Sequence, residues 1–203
     1  MKFIKNSVFL EMMKRAGIQT SEDGRTMRYQ NEGAVKGFDF TNLTPHSPAG
    51  PYEAVASGDR SVEYAMVATA FRVIETLNIF PLYLYSIDNE WVDEDIAPLI
   101  KSGTLTREEA DILENVLEND NVSDVAVIEK GEVDKAVRLI VPQLTAFSTS
   151  CCAVDAEGKV LALFSEDDEV SFNTTDPQIY EKTKKMVKSL SNLPFETVWA
   201  TGE

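Results

Sequence analysis

The residues able to do chemistry are few and scattered. His46 is the only imidazole in the 203 residues, and the adjacent Cys151 and Cys152 are the only thiols. A lone histidine with no paired cysteine or carboxylate pattern is a weak metal or acid–base signal. A cysteine nucleophile needs a neighbouring base, and only His46 could serve. Adjacent cysteines rarely close a disulfide, because the geometry is strained. Their apolar surroundings predict small, buried, reduced thiols. Neither Ser148 nor Ser150 lies in a nucleophile-elbow pattern. The run Asp88-Asn89-Glu90-Trp91-Val92-Asp93-Glu94-Asp95 invites a calcium reading. An EF-hand loop needs Gly at its sixth position and Glu at its twelfth, and counting from Asp88 these are Asp93 and Leu99. Tyr83 and Tyr85 would suit a ligand pocket, but aromatic residues at that spacing belong more often to a core. Gly-rich phosphate loops, Cys/His metal spacings and internal repeats are all missing. No cofactor, no metal and no contiguous catalytic motif are therefore expected. An enzyme would need a site assembled from distant Asp, Glu, Tyr and Cys residues.

Charge is the stronger signal. The net charge is −15, and residues 86–134 carry fifteen acids against only Lys101, Arg107 and Lys130. Residues 1–85 are balanced, and residues 135–203 carry three more acids than bases. Such a field repels phosphates and argues against direct nucleic-acid binding. It suits a basic partner, or simply a solvated face. No uncharged apolar run is long enough for a membrane span, and Glu11, Lys14 and Arg15 interrupt any signal-peptide core. The expected location is the cytoplasm, that of a host cell included.

The elements that would position these residues follow from periodicity and punctuation. Val62, Met66, Thr69, Val73 and Leu77 share one face of a helix that Asp59 starts and Asn78 stops. Arg60, Glu63, Arg72 and Glu75 are left for its solvated side, and Phe71 falls beside the apolar face. The apolar run Ile79–Tyr85 reads as a strand, with Pro81 at its first position or on an edge. A first helix spans residues 6–16 and stops at Gly17. Residues 18–31 contain a turn signal with polar flanks, so a hairpin there would be exposed. A short strand is expected near Val35–Phe40, and an irregular Pro-rich arm over residues 42–58. A short helix from Asp95 to Gly103 carries Pro98 in its first turn. Thr106-Arg107-Glu108-Glu109 forms a capping box, with Leu105 and Ala110 as its staple. Ala110, Leu113, Val116 and Leu117 make the buried face of that helix, and Glu108, Asp111, Glu114 and Glu118 line the other. Val125–Glu129 reads as a strand, and Val133, Ala136, Val137 and Ile140 mark a helix that Pro142 terminates. Leu144–Val154 and Lys159–Ser165 form a hairpin around Gly158. Glu166–Glu169 is an acidic loop. Asp176-Pro177 starts a lysine-rich helix to Leu190, with Ile179, Thr183, Met186 and Leu190 inward. Residues 195–200 alternate as a last strand.

The pattern predicts an α+β fold, about five helices on a mostly antiparallel sheet, in one domain over residues 1–203 with a subdivision near residue 88 left open. The leading functional expectation is a non-catalytic interaction protein, an inhibitor or adaptor. It would dock a basic protein surface through segment 86–134, with Glu108, Asp111, Glu114, Glu118, Asp93 and Glu94 in contact. The second is a structural subunit of a larger assembly such as a viral particle, self-associating through the N-terminal helix or the lysine-rich helix 177–190. The third is an enzyme without a contiguous motif.

Overall fold

Alternation of apolar and polar residues becomes an eight-stranded antiparallel sheet in the computed structural model, which describes residues 1–21, 26–42, 60–88, 90–92, 95–167 and 169–199. In chain order the elements are β1 (Lys2–Ile4), α1 (Asn6–Arg15), β2 (Ile18–Thr20), β3 (Met27–Tyr29), a 3-10 turn (Glu32–Ala34) and β4 (Lys36–Asn42). Next come α2 (Ser61–Leu77), β5 (Leu82–Ser86), α3 (Ala97–Ser102), α4 (Arg107–Glu118), β6 (Val125–Ile128) and α5 (Val133–Thr145). The chain continues with β7 (Cys151–Asp155), β8 (Val160–Ser165), β9 (Glu169–Thr174), α6 (Pro177–Ser189) and β10 (Phe195–Trp199). The sheet order is β1-β6-β5-β7-β8-β9-β4-β10, and β2 pairs with β3 in a separate ribbon. The fold is α+β, with six helices among the described residues. His46, Asp59, Asp93, Glu94 and the Pro-rich arm lie outside them.

The period of two along each strand sends alternate residues to opposite layers. Phe38, Phe40, Leu82, Leu84, Cys151, Ala153, Phe164 and Phe172 face one side, which α2, α5 and α6 cover. Tyr85, Cys152, Val154 and Leu161 face the other, under α1 and the β2–β3 ribbon. The polar flanks of that ribbon mislead, because Ile18, Met27 and Tyr29 are buried. The ribbon covers the second side of the sheet, so its apolar row has a place to go. Phe9 of α1 lies 6.1 Å from the Tyr83 ring and 5.4 Å from Tyr85, which makes these tyrosines core rather than pocket.

Helix α2 is buried over a wider arc than its stripe implies. Glu63, assigned to the solvated side, is only 4% exposed. Phe71 is fully buried and stacks on Phe164 at 5.4 Å. The wider arc arises because α2 touches the sheet, α5 and α6 at once. Helix α5 does not stop at Pro142 but continues through it to Thr145. The proline sacrifices one internal bond, while Leu139, Ile140, Val141 and Gln143 bury around it. Strand β7 consequently begins at Cys151, later than the sequence suggests. The inward face of α6 centres on Tyr180, Thr183 and Val187, one position round from the expected stripe, and Leu190 is exposed. Of the acidic run expected as a loop, Glu166 and Asp167 lie in a turn while Glu169 already opens β9, whose Val170 and Phe172 sit in the core. The β7–β8 hairpin turns at Gly158, with φ +65°, where an added Cβ would meet Ala16 Cβ at 2.8 Å.

The capping box is present as expected. Thr106 Oγ1 accepts from Glu109 N at 3.2 Å, and Glu109 Oε2 accepts from Thr106 N at 2.8 Å. Replacing Thr106 with alanine is expected to lower stability by about 1 kcal/mol. Urea unfolding measures it, and an unchanged midpoint contradicts the capping role.

Candidate protein-binding surface

The acids of α4 are laid out by its period, but the fold places arginines among them. Glu108 lies 3.5 Å from Arg138 of α5. Arg107 reaches both Asp111 at 2.8 Å and Glu114 at 3.2 Å. Glu118 is exposed and has no ion pair among the described residues. Such exposed pairs contribute about 0–1 kcal/mol each and leave most of the field in place. Glu109 differs, because it turns inward onto Arg60, with Oε1 accepting from Nη2 at 2.9 Å and Oε2 from Nη1 at 3.0 Å. The row expected to be almost purely anionic is therefore partly neutralised, because α5 supplies Arg138 from a separate stretch of sequence.

A second group of acids collects at one end of the sheet. Strands β5 and β7 meet there, pairing Ser86 with Cys151. Ile87 N donates to Ser150 O at 2.9 Å, and Glu166 N donates to Ser150 Oγ at 3.3 Å. Trp91 N donates to Val122 O at 2.9 Å, and Trp91 Nε1 to Asp124 O at 2.7 Å. These bonds draw the loop after β5, the turn after α4 and the β8–β9 turn to one end. Exposed Asp88, Glu90, Asp120, Glu166 and Asp167 are brought there together. Lys5 sits there too, holding Asp124 at 2.8 Å, and that carboxylate raises the lysine's pKa.

Between these loops lies a cleft of about 250 Å³ lined by Asp88, Glu90, Trp91, Val92, Gln143, Phe147, Ser148 and Thr149. Its floor is held from α5, where buried Gln143 donates through Nε2 to Trp91 O at 3.0 Å. Ser148 takes a left-handed φ of +49°, which costs a non-glycine residue about 1–2 kcal/mol. Asp88 and Glu90 make no ion pair among the described residues, so the cleft presents carboxylates and hydroxyls to a cation. Sequence reasoning named these two acids only as failed calcium ligands. Their cleft partners, Gln143 to Thr149, lie more than fifty residues away, and no local pattern links the two stretches.

Cys151 and Cys152 are fully buried on opposite sides of the sheet, and burial raises both thiols well above their ordinary range. Among the described residues, no group of His, Cys, Asp and Glu side chains is arranged to hold a metal ion. No described helix is long and apolar enough to cross a membrane. No protein-family model matches the sequence, and comparison with curated proteins and with solved structures finds no match.

Proposed function

We propose that this protein is a non-catalytic interaction module, an inhibitor or adaptor, whose acidic segment 86–134 receives a basic protein surface. What carries the reading is the cleft in which Asp88 and Glu90 stand with no partner cation among the described residues, beside the hydroxyl-bearing turn at Ser148 and Thr149. An arginine or lysine side chain entering it meets two carboxylates and displaces solvent. The exposed Glu108, Asp111 and Glu118, with the partly buried Glu114, extend the same field along α4 and steer the approach. Asp93 and Glu94 belong to the segment by sequence.

The probe is a fluorescently labelled nonapeptide of arginine, followed by anisotropy at low and high salt. Binding is expected to weaken about tenfold or more on tripling the salt, as steering charges are screened. The pair Asp88→Lys and Glu90→Lys is expected to weaken it by at least as much, while Glu181→Lys on α6 leaves it within about twofold. Glu181→Lys makes half the charge change, so a loss half as large on a logarithmic scale reduces the effect to net charge and refutes a localised site. The assembly reading is less well supported, since Phe9 and Met13 turn the stripe of α1 inward and leave Val8 as its exposed apolar residue.

A further inference from the structure

Strand β10 ends the sheet, and among the described residues it pairs only with β4. One row of its N–H and C=O groups therefore faces away from the sheet. Open edges are normally blunted by charge, a bulge or very short length. β10 runs five residues in unbroken register with β4, carries Glu196 as its one charge, and leaves Val198 50% exposed.

Helix α6 lies over this edge. Trp199 packs against Tyr180 of α6, with ring centroids 6.5 Å apart. Lys184 Nζ and Lys188 Nζ lie 5.8 Å and 5.6 Å from the Trp199 ring centroid. Lys36 Nζ stands 5.4 Å from the Tyr180 ring. Lys36 and Lys188 make no ion pair among the described residues, in a chain of net charge −15.

We propose that the β10 edge and the lysine side of α6 together form a docking site for an extended acidic peptide of another protein, which adds to the sheet as one more strand. Main-chain pairing to β10 holds the peptide about 4.8 Å from the strand. Its period of two then puts one set of side chains below Lys184 and Lys188, and the other beside Val198. Acidic residues suit the first set, aliphatic residues the second. This site is separate from the acidic cleft and asks for the opposite charge. A peptide fits it better than nucleic acid, because a peptide carries a regular row of amides and carbonyls to pair with the edge.

The test uses a labelled heptapeptide alternating glutamate and valine, the same peptide N-methylated at alternate amides, and a single-stranded oligonucleotide. The full-length protein is expected to bind the first, with NMR shifts at the amides of Phe195 to Trp199. N-methylation is expected to abolish binding, because it removes the donors that pair with the edge. The pair Lys184→Glu and Lys188→Glu is expected to weaken binding about tenfold while leaving oligoarginine binding intact. Equal binding of the methylated peptide, equal or tighter binding of the oligonucleotide, or no binding overturns the proposal. So does a dimer of the protein alone that already protects β10.

Discussion

Glu109→Ala is expected to lower the unfolding free energy by about 3 kcal/mol, the low end of the range for breaking a buried ion pair. The Glu109 side chain is 5% exposed and that of Arg60 23% exposed. The carboxylate takes two bonds from the guanidinium and one from Thr106 N, and Arg60 Nη1 also donates to Thr104 O at 2.7 Å. Removal strands a largely covered cation and the orphaned amide of the N-cap residue together. The loss arises from desolvation left uncompensated, not from the pair's intrinsic strength. The double change Arg60→Met with Glu109→Leu is accordingly expected to be milder than Glu109→Ala alone. Urea unfolding of the three proteins decides it. A single substitution costing under about 1 kcal/mol, the value for an exposed pair, rules out the buried reading.

Trp91→Ala is expected to cost about 3–5 kcal/mol and also to abolish oligoarginine binding. Trp91 is 1% exposed and bonded on three sides, to Val122, Asp124 and Gln143. The bonds to Val122 and from Gln143 use the Trp91 main chain and survive the change, whereas the indole bond to Asp124 O and the packing of the ring are lost, which loosens the loop that carries Asp88 and Glu90. Trp91→Phe keeps most of the volume and loses the indole donor, at about 1 kcal/mol. Binding measured well below the unfolding midpoint separates the two effects. If the folded Trp91→Ala protein binds the peptide as the parent does, Trp91 fills the core without organising the cleft.

Local signals were legible wherever a segment's neighbours in sequence are also its neighbours in space. The Thr106–Glu109 box, the Asp176-Pro177 start of α6 and the Gly158 turn each depend on residues within five positions, and each is present. Asn78 likewise ends α2 in a left-handed conformation, φ 55°. Misreadings occurred where a second layer decides exposure. Glu63 reads as a surface residue until α2 is covered on more than one side. The β2–β3 ribbon reads as exposed until the second side of the sheet demands a cover. Pro142 reads as a stop until the apolar residues around it outweigh one missing bond.

The candidate site divides in the same way. Composition alone shows that acid is concentrated over residues 86–134 and that cysteine or histidine catalysis has little to work with. It cannot show which of those acids stand free of a cation. Arg138 reaches α4 from α5 and Arg60 from the residue before α2, while Asp88 and Glu90 meet the Ser148 turn only because β5 and β7 are sheet neighbours. Charge and periodicity are properties of the chain as written. Which charges are matched and which face a cleft depends on contacts between distant residues, and those exist only once the sheet has closed.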